Sequence, residues 1–322
     1  MSDPSRWPEL PYEPWKDTLA TLHMWTQIVG KIRMVHTPWI NHSWHVTLYV
    51  SPRGLTTGSI PCRERTFAIE FDFHDHVLLI TTCDDESRRI ALEPQTTADF
   101  YAKVVEALRE LRIDARIHAR PNEVDPAIAF AEDRIHTSYD ADAVHRFWRA
   151  LLQVDQVFTA FRATFRGKTS PSHFFWGSFD LAVTRFSGRP APPHPGGYPN
   201  MPLAVMREAY AEEVSSAGFW PGGDAMPYAM FYSYAYPTPA GFKDAKVQPA
   251  AAQWSGTLGE FVLPYEDVRR AASPAQTLTD FLESTYAAAA SAADWDIARF
   301  RQEFQPAASF ASSEEALDPD RA

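Results

Sequence analysis

The stretch His173–Arg189, HFFWGSFDLAVTRFSGR, decides how the rest of the chain is read. Side chains alternate along a strand, so read as one strand it has two faces. One carries His173, Phe175, Gly177, Phe179, Leu181, Val183 and Arg185 and is the core side. The other carries Phe174, Trp176, Ser178, Asp180, Ala182, Thr184 and Phe186. A carboxylate framed by hydroxyls and aromatic rings is what one wall of a polar pocket contains. If Asp180 is buried it needs a partner, and Arg185, Arg189 and His45 are the candidates.

Working outward, residues 17–31 have apolar positions at three- and four-residue steps and predict a helix ending near Gly30. Residues 44–50, 67–73, 77–82 and 88–92 alternate or carry short apolar runs and predict an antiparallel meander, with 113–119 as an edge strand. Thr97 is placed to cap a helix over 98–111. A second long helix is predicted over 142–165 and a shorter one over 203–214. The Phe219–Gly223 break follows that shorter helix. Strands at 228–236 and 260–263 come next, then a helix from Pro274 to about 293 capped by Ser273. Trp7 and Trp15 tie the Pro-rich N-terminal arm to the body. The acidic tail 305–322 reads as disordered.

The chain has 322 residues, 45% of them hydrophobic and 13% aromatic, and a formal net charge of -11. That charge repels phosphate backbones and anionic membrane surfaces, so neither nucleic acid nor membrane is an expected partner. There is no secretory-type N-terminus and no apolar run of spanning length. The two cysteines give no disulfide framework, so a reducing, cytoplasmic setting is expected.

The two halves share an order of long helix, Gly-Lys, strands and closing helix. Gly30-Lys31 is followed by Ser43–Leu48, and Gly167-Lys168 by Ser178–Val183. The fold class expected is α+β, with two pseudo-repeated helix–antiparallel sheet–helix halves, 1–125 and 126–304, packed as one compact unit. In this frame His45 lies opposite Asp180, and the two would approach one cavity between the halves, where ligand sites are favoured.

The chain resembles a bacterial family known only as a domain of unknown function. WPELPYEPWKDTLATLHMWTQIVGK at 7–31, SFDLAVTRFSGR at 178–189, GFWPGG at 218–223 and EFVLPYEDVR at 260–269 carry the resemblance, which covers nearly the whole chain. It implies a stand-alone globular protein and brings no activity with it. One departure concerns Ala209–Glu213, which reads AYAEE where the family pattern expects AYSHE. Were that histidine catalytic in the family, this chain would lack it.

The chemistry expected is acid–base work on a small aromatic or anionic molecule, with Asp180, His45 and His173 as catalytic groups. Trp176 would stack on the ligand, Ser178, Tyr232 and Tyr234 would line its pocket, and Arg185 and Lys168 would meet an anion. A bland reading stands beside each: Asp180 as half of a structural ion pair, Lys31 and Lys168 as complements to helix dipoles, Glu208, Glu212 and Glu213 as a solvated helix face. Asp133, His136 and Tyr139 suit a local turn network. The tyrosines of 228–236 share one face, which suits a pocket wall or a contact between copies of the chain. A non-catalytic ligand-binding or oligomerisation protein is therefore the alternative to an enzyme. No cofactor is named by the sequence. Metal binding is disfavoured, because His42 and His45 point apart on a regular strand; a His45-ligated metalloenzyme is the second alternative. There is no Walker A loop, dinucleotide fingerprint, G-x-S-x-G or H-E-x-x-H.

Overall fold

A computed structural model describes residues 6–302. It is α+β, as expected: helices and two antiparallel six-stranded sheets in one compact body. The expected disorder of the tail 305–322 lies outside the described residues. No described helix is long and apolar enough to cross a membrane.

The first half opens with α1 (Tyr12–His36), which is buried on nearly every side. Its rings pack in both directions. Trp25 stacks on Phe100 at 4.4 Å, and Trp15 meets Phe147 at 5.2 Å. Trp7 and Leu10 of the N-terminal arm are buried with them. The helix continues past Gly30 to His36, so Gly30-Lys31 lies inside α1 and not at its end. Gly30 is there because Trp176 lies flat against it; a Cβ would overlap the indole.

The first sheet runs β1 (Tyr49–Val50), β2 (Gly54–Thr56), β4 (Arg65–Asp72), β5 (Val77–Thr82), β6 (Ser87–Ala91), with β3 (Ile60–Cys62) pairing β4. The predicted strand over 44–50 survives only as Leu48–Val50. Before it, Asn41–Ser43 forms a short 3-10 turn, with His42 and Ser43 both left-handed at φ 57° and 59°. The predicted edge strand 113–119 does not form. Helix α2 (Thr97–Glu110) is capped one residue earlier than expected: the Thr96 side chain accepts from Asp99 N.

Helix α3 (Ala141–Ala163) opens the second half, capped by Asp140. His173–Arg189 is not one strand but a hairpin: β7 (His173–Phe175), a turn over 176–179, and β8 (Asp180–Pro190). Phe179 takes a left-handed φ of 59° to close it. This corrects the facing. His173 pairs with Ala182, Phe174 with Leu181 and Phe175 with Asp180. Paired residues share a face, so His173 and Phe175 join the Asp180 side, and Phe174 joins the apolar side.

After α4 (Leu203–Ala209) the chain enters β9 (Glu212–Trp220), so the predicted helix over 203–214 ends five residues early. Pairing with β8 on one side and β10 (Met230–Tyr236) on the other overrides the local pattern. β12 (Glu260–Pro264) and β11 (Gln253–Ser255) complete the order β11-β12-β10-β9-β8-β7. Short α5 (Tyr265–Arg269) leads to α6 (Pro274–Ala292), where Ser273 makes no side-chain cap, and then to α7 (Ile297–Phe300).

The sheets meet where Leu48 and Phe174 exchange two backbone hydrogen bonds, both 2.9 Å. One apolar core runs through both halves. On the second sheet, Leu181, Val183, Ala217, Phe219, Phe231 and Leu263 are buried, and α3 and α6 pack on β8, β9 and β10. The opposite face carries Asp180, Thr184, Ser216, Tyr232, Tyr234 and Glu260, as the registers place them.

Candidate functional site

Asp180 begins β8 on this polar face and is only 6% exposed. The Tyr232 hydroxyl donates to its Oδ2 from two strands away. That reach is possible because β9 carries Gly218 between them: a Cβ there would overlap the Tyr232 phenol. Alternation thus supplies the tyrosine, and a glycine clears its path.

Among the described residues no cation offsets the carboxyl. Burial pushes Asp180 up to about 7; the Tyr232 hydrogen bond opposes this and the neighbouring Glu123 adds to it. Glu260 is likewise pushed up to about 7, by burial and then by Asp180. Glu123 is raised by burial, against the pull of Ser178, whose Oγ donates to Glu123 Oε2 at 2.5 Å. Gly177 lets this approach happen, since a Cβ would meet the Glu123 carboxylate. The phenols follow the same logic. Burial raises Tyr232 and Tyr234, and it raises Tyr198, with Glu260, Glu123 and Asp180 adding to that last shift. Tyr210 and Tyr234 share a 2.8 Å hydroxyl contact, and Tyr232 and Tyr234 stack at 6.1 Å.

Two loops tie down over this face. Glu123 N donates to Pro199 O at 2.9 Å, the Asn122 amide to Asn200 O at 2.5 Å, and the Asn200 amide to Val124 O at 2.7 Å. Asn122, Glu123, Tyr198 and Glu260 were not singled out by sequence reasoning. Their signal is weak, because they sit in loops or at a strand end and converge only through long-range contacts.

The other expected residues divide. Ser178, Tyr232 and Tyr234 gather around Asp180 and its neighbours. His45 does not: it is buried against Trp39 at 4.8 Å, Ile40 N donates to its Nδ1 at 3.4 Å, and it shares no partner with Asp180. The proposed meeting of His45 and Asp180 fails because residues 41–47 turn instead of forming a strand. Arg185 lies on the opposite face, 1% exposed, with its guanidinium 3.3 Å from the Phe161 ring centroid and 3.2 Å from Glu283. Trp176 donates to Val46 O at 2.7 Å and lies on Gly30, an interior role and not a ligand wall.

His173 shares the Asp180 side but looks toward the first half. Its Nε2 is 3.5 Å from the Tyr49 hydroxyl, and Nδ1 has no hydrogen-bond partner among the described residues. Burial lowers it to about 3, with Arg33 and Arg162 adding to the shift, so it is neutral at physiological pH. Lys168 is held by Glu212 and lies 2.5 Å from His42 Nε2, above the Phe186 ring. His42 Nδ1 faces the Glu208 and Ala209 carbonyls at 3.1 and 3.2 Å. Two of the three donors of Lys168 are therefore taken by protein groups. Glu212, a strand residue and not part of a helical acidic face, has a definite partner. Of the local turn network expected, His136 donates to Asp133 at 2.7 Å, whereas Tyr139 meets His76, in the turn between β4 and β5, at 2.9 Å. Among the described residues no group of three or more His, Cys, Asp or Glu side chains has metal-binding geometry.

A family model described as a family of unknown function, DUF5996, matches residues 7–302. No curated protein and no solved structure matches the chain.

Proposed function

The chain belongs to the family of unknown function DUF5996, and from that premise we propose that it is an enzyme in which Asp180 gives and takes a proton at a small molecule. The observation that carries this reading is a buried carboxyl, at about 7, whose side-chain partner is a phenol and whose charged neighbours are carboxyls. An acid–base group works best when its pKa lies near the working pH. Carboxyls in one buried region raise one another, because nearby negative charges are costly.

In this mechanism Asp180 is half protonated near neutrality. It can donate to a leaving or carbonyl oxygen, or as carboxylate accept a proton from a polarised C–H, N–H or O–H. The Tyr232 hydroxyl stabilises its anionic form by donating to Oδ2. Glu260 is the second group able to exchange a proton on this face. Tyr198 and Tyr234 offer ring surface. The ligand this favours is neutral or cationic. An anion, the earlier expectation, would meet Asp180, Glu123 and Glu260 with Arg185 on the wrong face and Lys168 already paired. Cations over phenol rings are attracted by the ring quadrupole. The free cysteines Cys62 and Cys83 support a reducing, cytoplasmic setting.

The test is turnover against a panel of small amines, amidines and polyhydroxylated compounds, read by mass spectrometry for wild type and Asp180→Asn. Loss of every turnover in a folded D180N protein is expected. Full turnover in D180N would remove Asp180 from the chemistry. A non-catalytic binding protein would instead show ligand-dependent stabilisation and no product with any compound.

A further inference from the structure

We propose that Lys31, on α1 of the first half, is the positioning residue that aims Glu123 at Asp180 through Asn122. The proposal rests on the reading of Asp180 above and adds to it the device that sets the neighbouring charge.

His23, Gln27 and Lys31 stand four residues apart on α1, so they form one polar stripe on a helix that is otherwise packed. Each meets the second half's site or the loop over it. His23 Nε2 lies 2.8 Å from Gly177 O, in the turn of the β7–β8 hairpin. Gln27 grips the backbone of Asn122 at both groups: its amide donates to Asn122 O, and its Oε1 accepts from Asn122 N, both at 2.8 Å. Lys31 Nζ donates to the Asn122 Oδ1. With its carbonyl oxygen so held, Asn122 must turn its NH2 the other way, toward Asn200 O. The next residue is Glu123, bonded to Pro199 O through its N–H and to Ser178 through its carboxylate.

Lys31 is an expensive way to hold an amide. It is 1% exposed, its one hydrogen-bond partner among the described residues is neutral, and its only other offset there is the Trp176 ring, 5.5 Å from Nζ to the centroid. Burial lowers it to about 8. An ammonium buried without a counter-charge costs folding free energy, and a methionine would fill the same space without that cost. A residue that opposes stability while fixing a loop over a site has the character of a positioning group.

The experiment follows the Asp180 carboxyl by 13C NMR across pH in aspartate-labelled protein, with D180N identifying the signal. Three variants are compared: Glu123→Gln, Lys31→Met and, acting from the loop side, Asn122→Ala. E123Q is expected to lower the Asp180 midpoint, because Glu123 helps to raise it. K31M and N122A are expected to lower it by the same shift, and K31M combined with E123Q to lower it no further. K31M is also expected to melt at or above the wild-type temperature, whereas a residue that only holds the fold together would melt lower and leave the midpoint alone. A shift in E123Q with none in K31M or N122A overturns the proposal. If Asp180 in the wild type titrates in the ordinary carboxylate range, the acid–base reading fails instead. Positioning is then decided by amide exchange at 120–124 and 197–200: faster exchange in K31M upholds it, and unchanged exchange rejects it.

Discussion

Asp180 binds its proton more tightly in the folded chain than a free carboxyl does, which reverses the usual dependence of stability on pH. Its folded value is about 7 against an ordinary 3.8. The stabilisation from that proton is complete below the ordinary value and is lost as pH rises through 7. The loss amounts to about 4 kcal/mol if all of the difference is realised. Denaturant unfolding of wild type and D180N at pH 5 and pH 8 checks this. Wild type is expected to weaken on going to pH 8, D180N less, because Glu260 still loses its own contribution there, and D180N to be at least as stable as wild type at pH 8. A D180N loss of about 3–5 kcal/mol, the signature of a broken buried ion pair, would contradict it. His173 runs the other way. Its folded value of about 3 lies below the ordinary 6.5, so the neutral ring favours folding above 6.5 and that contribution is lost as pH falls. His173→Gln is expected to flatten stability between pH 6 and 4, measured in the same way. Asp180 was legible in the sequence because a carboxylate inside an apolar run is conspicuous. Its partner was not, because Tyr232 lies 52 residues further along the chain and two strands over, and reaches the carboxyl only past Gly218.

At the scale of elements, the polar face depends on β9 presenting no side chain at one position. Gly218→Ala puts a methyl group where the Tyr232 phenol lies. The tyrosine must leave Asp180, at a cost of about 1–3 kcal/mol for overpacking, and the Asp180 midpoint should climb because a bond that lowers it is gone. Thermal melts with an NMR titration test both parts. Gly256→Ala, where nothing lies within 4 Å, serves as the neutral control, expected within about 0.5 kcal/mol of wild type. The tyrosine face of β10 could be read from alternation alone, since Tyr232, Tyr234 and Tyr236 recur at every second position. β9 could not. Ser215, Ser216, Ala217 and Gly218 carry little propensity for any structure, and this central strand is made by its two neighbours. The hairpin turn at 176–179 escaped for a related reason: the alternation of Trp176, Gly177, Ser178 and Phe179 continues smoothly through it, while the left-handed Phe179 breaks the strand.

At the scale of the molecule, the halves are bound through the Leu48–Phe174 bridge, the Trp176–Gly30 contact and one shared core. They should therefore unfold together. Differential scanning calorimetry is expected to show a single transition, and Gly30→Ala to lower that one temperature by forcing Trp176 off α1. Two resolved transitions, with only one moved by the substitution, would mean that the halves hold separate cores. The same joint explains the site: Asp180, Glu260 and the phenols belong to the second half, while the α1 stripe and the Asn122–Glu123 loop it grips belong to the first.

The sequence by itself determined the periodicities. These were the long helices, the alternating strands 67–73 and 77–82, the tyrosine face, the buried N-terminal arm and the singular carboxylate at Asp180, because each is a local pattern of side chains against a fixed backbone repeat. Only the tertiary structure decided which of those groups meet. Strand pairing, the clearance at Gly218, the left-handed residues at 42, 43 and 179, and the grip of Gln27 and Lys31 on Asn122 all join residues far apart in the chain. Such contacts are fixed by the packing of whole elements, which no local window of sequence contains.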